Sequence, residues 1–394
     1  DLSSDLAQAT WPTTFGSKWS CCFGYRRQLS SCYSCDASDG CHLPAAAIML
    51  CLHRAIIVAL WACPAWASQG VAAGMQHSVL VSNGVAWAVG SNDNGQLGDG
   101  SFTHRKQPVQ VMTGVNTVDG GHYHTVFLKQ DGTAHACGNN GQGRLGDGTQ
   151  TSRNTPVQIM SDVAAVSAGV LHTLYLKTDG IAYAAGFGGD GRLGHGAYFD
   201  ASTPLQIMTG VQGVSAGGAG HGGHSLFLKQ DGSAYASGEN SDGRLGDGTT
   251  LSRAGPVLIM TGAIAVSAGG YHSLFLKADG TAYATGYNGD GRLCDGTTVN
   301  RNTPVPVLTG VRAISAGGYH SLFIKQDDTV WACGRNKEGR LGDGSKVDRT
   351  VPVLVSLGTM AKVAAGRYHS LFLAANGSFY GAGANANGQL NLAF

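Results

Sequence analysis

Charged residues are the class of side chain that this sequence has least of. Only 13% of its 394 residues are Asp, Glu, Lys or Arg, and 26 basic residues nearly balance 25 acidic ones, for a net charge of +1. Proteins that bind phosphate backbones carry clustered Lys and Arg. The composition is that of a globular protein with few charges, and it predicts no nucleic-acid partner.

Cysteine is scarce in most of the chain. Seven of the ten cysteines lie before residue 64, and the later ones are Cys137, Cys294 and Cys333. A disulfide framework needs cysteines at matching places. We therefore expect that the later part of the chain is not built around disulfides.

Long apolar runs are also lacking. Ala55–Ala62 is apolar but too short to span a bilayer. It follows a basic pair and precedes an A-x-A pattern ending at Ala67, which is the layout of a secretory signal peptide. We predict a signal peptide over 49–67 and a mature chain that starts at Ser68, has no membrane span, and is secreted or held in the periplasm or cell envelope. The alternative is that the apolar run is a buried strand.

The first 48 residues match no other part of the chain. We interpret 1–48 as a Cys-rich leader that is disordered or not native to the protein. Cys32-x-x-Cys35 with Cys41-His42 nearby suggests a zinc knuckle, but a clean second ligand pair is missing. No metal is predicted.

Glycine, with 61 residues, is abundant, and it belongs to a repeated unit. One histidine of this unit recurs at successive gaps of 47, 48, 52, 48, 48 and 49 residues. A period near 48 indicates an array in which each unit buries its apolar face on its neighbours. The recurring histidines, expected to be structural, are His77, His124, His172, His224, His272, His320 and His369.

Each unit is predicted to form four antiparallel strands. In the fifth unit the first strand, Val266–Gly269, has small residues and the second, Ser273–Lys277, has strong β-formers. Asp279-Gly280 predicts a type I′ hairpin before the third strand, Thr281–Thr285. The last strand, Pro304–Leu308, begins with proline and should be outermost.

Small residues inside and proline at the rim are typical of a propeller blade. The sequence predicts an all-β protein, a seven-bladed β-propeller over 68–394, because closing a ring leaves only short, protected edges. An open solenoid would need atypical end repeats. The seventh repeat has no proline-headed strand, so an incomplete last blade is expected, with no obvious strand for it to borrow.

The repeat motif resembles a known family. Over about 71–391 the repeats are similar to those of the regulator of chromosome condensation family. The shared pattern is V-x-A-G-x-x-H-[ST]-x-x-L-x-x-D-G, then G-x-N-x-x-G-[QR]-L-G-D-G, then P-V. Gly74, His77-Ser78 and Asn92–Gly100 show it in the first repeat. The resemblance implies a seven-bladed propeller.

The resemblance also implies two possible functions. The eukaryotic founder is a nucleotide-exchange factor for a small GTPase that uses a wedge-like insertion, whereas exported bacterial relatives grip another protein with their blade loops. The only extra length between the histidines here, Gly218–Gly223, is too short for such a wedge. We therefore expect an exported, non-enzymatic, monomeric propeller that binds a protein or cell-surface partner. The alternative is a guanine-nucleotide exchange factor.

Motifs that suggest enzymes have simpler interpretations. Gly141–Gly146 matches G-x-G-x-x-G, but a strand follows it where a dinucleotide site needs a helix. His272 and Ser273 are neighbours on a strand and point to opposite faces, so each histidine is expected to bond backbone of its own or the adjoining blade. No catalytic residue, cofactor or metal is predicted. The arginines Arg144, Arg192, Arg244, Arg292 and Arg340 recur before Asp147, His195, Asp247, Asp295 and Asp343, which we interpret as a turn clasp built on Asx turns.

The candidate partner-binding residues lie where the repeats differ. Two sets of loops vary, one before each recurring histidine and one after each third strand, and they could occupy one face or two. Tyr, Phe and Arg are the side chains that anchor interfaces; the alternative is that the tyrosines pack between blades. The candidates are Tyr123, Phe187, Tyr271, Tyr287, Tyr319, Arg335 and Tyr368.

Overall fold

The computed structural model describes residues 70–220 and 222–392, together with the backbone of four residues nearer the N-terminus. The chain divides into two units, Asp1–Pro64 and Ala65–Phe394. In the first unit, Ser20–Cys21 pairs antiparallel with Tyr33–Ser34. The predicted leader, its zinc-knuckle alternative and the signal peptide otherwise lie outside the described residues.

The second unit is an all-β, seven-bladed propeller. Blades 1 to 6 have four antiparallel strands in sequence order and blade 7 has three. No helix of the described part of the chain has the length and apolarity needed to cross a membrane.

The first strands are Gly70–Ala73, Val115–Gly120, Val163–Ala168, Val211–Ala216, Ala263–Ala268, Val311–Ala316 and Met360–Ala365. The second strands are His77–Ser82, His124–Lys129, His172–Lys177, His224–Lys229, His272–Lys277, His320–Lys325 and His369–Ala374. The third strands are Val85–Gly90, Ala134–Gly138, Ala182–Gly186, Ala234–Gly238, Ala282–Gly286, Val330–Gly334 and Phe379–Gly383. The fourth strands are Arg105–Thr113, Arg153–Met160, Ala201–Met208, Arg253–Met260, Arg301–Leu308 and Arg349–Val355.

The fifth blade shows why these residues form these strands. His272 pairs with Gly286 at one end of the second and third strands and Leu276 with Ala282 at the other. Gly286 has φ +115°, and a Cβ there would lie 2.5 Å from the Tyr271 carbonyl oxygen, so only glycine fits where the third strand ends. The fourth strand is outermost, as predicted, but it begins at Arg301, three residues before Pro304.

The hairpin prediction for the fifth blade is wrong. Only Gly280 of the Asp279-Gly280 pair has a positive φ, whereas a type I′ turn needs positive φ at both central residues. Lys277 N donates to Thr281 O at 3.0 Å, so the loop has three residues and the glycine takes the left-handed position. Asn83-Gly84 of blade 1, with φ values of 51° and 75°, does have the type I′ geometry.

The hydrophobic core lies between adjacent sheets. Phe323 of blade 6 is fully buried against Leu274, Leu293 and other residues of blade 5. The same second-strand position is buried in every blade, as Leu80, Phe127, Tyr175, Phe227, Phe275, Phe323 and Phe372. Each blade therefore supplies half of two cores, which is why the units are stable only as an array.

The ring closes although blade 7 has three strands. His369 Nε2 lies 3.0 Å from Ser78 Oγ of blade 1, and Ser78 Oγ donates to the Gln389 carbonyl at 2.7 Å. Arg367 N also donates to Gly74 O at 3.2 Å. Among the described residues the outer edge of Phe379–Gly383 has no strand partner, so side-chain and inner-strand contacts hold blades 7 and 1 together.

One disulfide joins two repeats, a bond that the sequence did not predict. Cys294 of blade 5 is bonded to Cys333 of blade 6. Cys294 is 3% exposed and has φ +65°, where blades 1 to 4 have glycine with positive φ. A non-glycine residue at positive φ costs backbone strain. Cysteine spacing did not show this pair because the two repeats hold their cysteines at different positions.

Candidate functional site

Both sets of variable loops lie on one face of the propeller. In a four-stranded antiparallel sheet, the loop after the first strand and the loop after the third strand leave from the same end. Tyr271 of the first set lies against Tyr287 of the second, with ring centroids 6.1 Å apart. We call this the loop face, formed by the loops that follow the first and third strands of each blade.

Four of the predicted tyrosines form a continuous cluster on the loop face. Tyr271 lies 6.0 Å from Tyr319, and Tyr319 stacks on Tyr368 at 5.7 Å with an interplanar angle of 27°. Tyr287 joins through Tyr271. All four are half-buried, so the tyrosines pack between blades 5 to 7 and still present part of each ring to solvent.

Arginines are interleaved with these tyrosines. The Arg292 guanidinium lies 4.7 Å from the Tyr287 ring and 5.1 Å from the Tyr319 ring. Arg340 lies 5.4 Å from Tyr319 and 5.5 Å from Tyr368. A guanidinium within about 6 Å of an aromatic ring is held by the ring quadrupole. The arginines and tyrosines therefore stabilise one another across blade boundaries.

The recurring arginines do not belong to the predicted turn clasp. Arg244 donates to Asp242 at 2.7 Å, and Arg292 and Arg340 pair with Asp290 and Glu338, each acid two residues earlier in the chain. Each of these guanidinium groups also donates to a carbonyl of the next blade, 3.3 Å for Arg244 to Gly270, 3.0 Å for Arg292 to Gly318 and 3.1 Å for Arg340 to Arg367. They bridge neighbouring blades under the loop face.

The Asx turns of the predicted clasp are present with a different arginine. Asp295 accepts from Thr297 N at 3.0 Å and from Asn288 Nδ2 at 2.9 Å. Its ion pair is with Arg301, the first residue of the fourth strand, at 2.8 Å. In blade 3, His195 replaces the aspartate and lies against Phe199, with ring centroids 4.3 Å apart.

Two arginines of blades 6 and 7 have no carboxylate partner within the described residues. Arg335 lies 5.2 Å from the Tyr319 ring, and Arg367 lies 5.3 Å from the Tyr368 ring and donates to the Tyr319 hydroxyl at 3.2 Å. Burial alone would raise the pKa of Tyr319, but the hydrogen bond and charge of Arg367 outweigh it and that pKa is lowered. This part of the loop face is therefore electropositive.

The other predicted residues lie on blades 2 and 3. The Tyr123 ring is 6.0 Å from the His122 ring, edge to face. The Arg192 guanidinium is 4.9 Å from the Phe187 ring. The structure brings together Tyr271, Tyr287, Tyr319, Arg335 and Tyr368, and it leaves Tyr123 and Phe187 in separate contacts.

Sequence reasoning missed Arg292, Arg340 and Arg367 as members of this cluster. An arginine stands at the position of Arg292 and Arg340 in every blade from 2 to 6, so these two were interpreted as part of the scaffold. Arg367 precedes Tyr368 where other blades have glycine, histidine or another small or apolar residue. That departure from the repeat was the available signal.

The channel at the centre of the ring is lined by small residues of the first strands, with Asp119, His122 and Arg367 among them. Asp119 accepts from Ser167 Oγ at 3.0 Å and from Ala168 N at 2.9 Å. Burial raises the pKa of Asp119 despite these hydrogen bonds. Burial and the charges of Arg367, Arg144 and Arg192 lower the pKa of His122 to about 3, so His122 is neutral at physiological pH.

The recurring histidines form a closed belt between the blades. His272 Nε2 lies 2.9 Å from Ser321 Oγ of the next blade, and Ser321 Oγ donates to the Arg292 carbonyl at 2.7 Å. The hydroxyl has one hydrogen and gives it to the carbonyl, so Nε2 is the donor to Ser321. The remaining bonds of the belt are His77–Thr125, His124–Thr173, His172–Ser225, His224–Ser273, His320–Ser370 and His369–Ser78.

This belt differs from the sequence expectation in one respect. The histidine partner is a side-chain hydroxyl of the next blade, whereas a backbone group was expected. The His272 ring is hydrogen-bonded to Ser321 and not to the neighbouring Ser273. The Ser273 hydroxyl accepts from His224 and donates to the Arg244 carbonyl. In the described residues no group of three or more His, Cys, Asp or Glu is placed to hold a metal ion.

The extra residues of blade 4 form a tight turn. Ala219 N donates to Gly222 O at 2.9 Å and Gly222 N to Ala219 O at 3.2 Å, so the insertion closes on itself. Gly223 N donates to Asp190, which also binds Arg192. The turn is thereby anchored to the loop face of blade 3.

Solved structures with the same fold include human WBSCR16, with 24% identity, a TM-score of 0.70, and coverage of 77% of this chain and 86% of that one. Prp20p from Saccharomyces cerevisiae has 19% identity, a TM-score of 0.67, and coverage of 81% and 83%. Yeast RCC1 (Prp20) in a complex with Kap60 gives 18% identity, a TM-score of 0.67 and 81% coverage of both chains. Comparison with curated protein sequences finds no significant match.

The family model agrees with the blade structure. The regulator of chromosome condensation (RCC1) repeat matches residues 83–128, 131–176, 231–276, 279–324 and 327–373. A second model of this repeat matches 115–144, 263–292, 311–340 and 360–389. The matches cover more than half of the chain, and each match of the first model runs from the third strand of one blade to the second strand of the next. The chain belongs to the regulator of chromosome condensation repeat family.

Proposed function

We propose that this protein is a non-enzymatic binding protein that holds a protein partner on its loop face. The observation that carries the proposal is the cluster of Tyr271, Tyr287, Tyr319, Tyr368 and Arg335, which presents half-buried rings and a guanidinium on one surface. Tyrosine and arginine are enriched at the energetically dominant centres of interfaces.

An apolar rim, formed by Phe199, Leu251, Val299 and Val347, lies on the same face in blades 3 to 6. Phe199 is 57% exposed, Leu251 65%, Val299 58% and Val347 60%. All four lie in the loops that follow third strands, at equivalent places in blades 3 to 6. Exposed apolar groups repeated on one face support an interaction surface.

Proteins with the same fold provide further support. The yeast protein Prp20p is described by its binding to Gsp1p and histones, and another structure shows it bound to Kap60. At these identities the likeness carries the fold alone. A role in nucleotide exchange rests on family membership, whereas the loop-face cluster is a property of this chain.

The side chains of the loop face are suited to binding a partner and not to catalysing a reaction. The belt histidines are fully buried and are bonded between blades, so they cannot reach a bound molecule. The recurring arginines Arg244 and Arg292 are held by acids and by rings. We therefore propose binding without catalysis.

The proposed partner can be sought without knowing its identity. The full chain would be used to select binders from a displayed random-peptide library, and binding would be compared with that of Tyr319→Ala and Tyr283→Ala. Tyr283 is the matched control, because it also lies beneath a cation, Lys277 at 5.1 Å, at the opposite ends of the strands. We expect Tyr319→Ala to weaken the selected binders about tenfold or more, as for an interface centre. Equal effects of the two substitutions would contradict the proposal.

We also propose that the protein is exported. The signal-peptide pattern over 49–67 and the Cys294–Cys333 disulfide support this, since disulfides persist mainly in oxidising compartments. The protein recovered outside the cytoplasm should begin at Ser68 on N-terminal sequencing. In the same sample, thiol labelling after unfolding without reductant should modify Cys137 and not Cys294 or Cys333. A chain that retains residues 1–67, or free thiols at both positions, would overturn export.

A further inference from the structure

We infer that the loop face of blades 6 and 7 binds a carboxylate of an acidic segment on the partner protein, through Arg335 and Arg367 beside Tyr319 and Tyr368. This inference rests on the proposed function and names the chemistry of the partner. The groups that carry it are two guanidinium groups that the described part of the chain does not neutralise.

The other loop-face arginines provide an internal comparison. Arg244, Arg292 and Arg340 each have an acid two residues earlier in the chain that forms an ion pair with them. Arg335 and Arg367 come from different loops and have no such acid within 4.0 Å in the described structure. In blades 3 to 6 the chain supplies an acid for the recurring arginine, whereas Arg144 of blade 2 has the neutral Gln142 in that place. Arg335 and Arg367, which depart from the repeat, also have no carboxylate partner in the described residues.

Arg335 and Arg367 share one feature with Arg144, Arg244, Arg292 and Arg340, a buried Nε atom without a hydrogen-bond partner among the described residues. The side chains of Arg335 and Arg367 are half-buried. A partly desolvated guanidinium is costly unless it is paired. The faces of Tyr319 and Tyr368 offset some of that cost.

The local field favours an anion at this place. Arg292, Arg335, Arg340 and Arg367 surround the Tyr319 ring at 5.1, 5.2, 5.4 and 5.8 Å. Two carboxylates pair among them, Asp290 with Arg292 and Glu338 with Arg340. Arg367 also faces His122, with Nη1 3.4 Å from Nδ1, and His122 is neutral and adds no charge. A carboxylate placed here would accept two or more charge-assisted hydrogen bonds.

Glutamate and aspartate side chains of a protein fit this site better than a large polyanion. The whole chain has a net charge of +1 and the cationic patch is confined to two blades. A nucleic acid or a sulfated polysaccharide would need a longer basic track. The apolar rim, at Val347 on the loop of Arg335 and at Val299 on the equivalent loop of blade 5, matches a protein surface.

The test uses the full chain and a fluorescein-labelled peptide of alternating Glu and Gly, with binding followed by fluorescence anisotropy at low salt. We expect binding that weakens as salt is added. The double variant Arg335→Gln/Arg367→Gln should bind about tenfold more weakly, as when buried charge contacts are removed. The matched control is Lys277→Gln/Lys325→Gln, which removes two cations stacked on Tyr283 and Trp331 at the opposite ends of the strands. It should change binding less than about twofold.

Three results would overturn the inference. The first is that the Glu–Gly peptide does not bind, and the second is that the two double variants lose equal affinity. The third is that inorganic phosphate displaces the peptide at an ionic strength far below the one at which chloride displaces it. The last result would assign the site to a phosphoryl group. If the selected peptides of the previous section still depend on Tyr319 while the Glu–Gly peptide fails, the carboxylate inference falls and the proposed function stands.

Discussion

Lowering the pH from 7.5 to 5 is expected to remove most of the free energy of unfolding of the propeller. Burial lowers the pKa of all seven belt histidines, to about 4 for His77 and about 3 for His369, and well below 6.5 for the other five. The unfolded chain has ordinary histidines, so below pH 6.5 it binds up to seven more protons than the folded ring.

The direction and size of this effect follow from proton linkage. A group whose pKa is lowered by folding stabilises the fold fully above its unfolded pKa, and this stabilisation is lost as the pH falls toward the folded pKa. At pH 5 each buried neutral histidine forfeits about 2 kcal/mol, or about 14 kcal/mol for seven. That loss is comparable with the whole stability of a typical domain, about 5 to 15 kcal/mol.

The measurement is the midpoint of urea unfolding at a series of pH values, followed by circular dichroism. The variant His272→Gln keeps an N–H donor and should reduce the pH slope by one proton, about 1.4 kcal/mol per pH unit. The carboxylates of the turn clasps affect the free energy of unfolding in a different, more acidic pH range. Although burial opposes it, hydrogen bonds lower the pKa of Asp147 and Asp295 below 3.8, so their contribution is lost only in stronger acid. Stability that stays constant down to pH 4 would contradict the histidine prediction.

The substitution Thr173→Val is expected to destabilise the ring by about 2 to 4 kcal/mol, because it leaves two buried polar groups without a partner. Thr173 Oγ1 accepts from His124 Nε2 at 2.9 Å and donates to the Arg144 carbonyl at 2.7 Å, and it is fully buried. Valine has nearly the same shape, so the core is not opened and the effect isolates the two hydrogen bonds. Chemical unfolding at pH 7.5 measures it.

The matched control is Thr178→Val, the same chemical change at an exposed position of the same blade. It should alter the free energy of unfolding by less than about 0.5 kcal/mol. A loss below about 1 kcal/mol for Thr173→Val would show that the belt contributes little to stability. Because each hydroxyl joins two blades, we also expect Thr173→Val to lower cooperativity between blades 2 and 3.

Much of the fold could be predicted from the chain because a blade is specified locally. The gap near 48 residues, the small first strand and the proline of the fourth strand are read within one repeat, and they predicted seven blades with an incomplete last one. The sequence analysis left open whether the two loop sets share a face, and the observed antiparallel strand order places them on one. The hairpin at Asp279-Gly280 was wrong because a dipeptide does not determine whether a loop has two residues or three.

The candidate site was predictable residue by residue but not as an arrangement. The departure of Tyr271, Tyr287, Tyr319, Arg335 and Tyr368 from the repeat could be seen in the sequence. Which ring meets which guanidinium could not, because Arg292 contacts a tyrosine of its own blade and another of the next. The same is true of the Cys294–Cys333 bond.

The sequence by itself determined the strands, the blade count and the family, since these depend on turn residues, alternation and a period that recur within each repeat. Only the tertiary structure decided the histidine belt, the bridging arginines and the position of Arg335 and Arg367 beside Tyr319 and Tyr368. These contacts join residues about one repeat apart across blade boundaries. Their partners are set by how neighbouring sheets pack around the ring, and no local pattern encodes that packing.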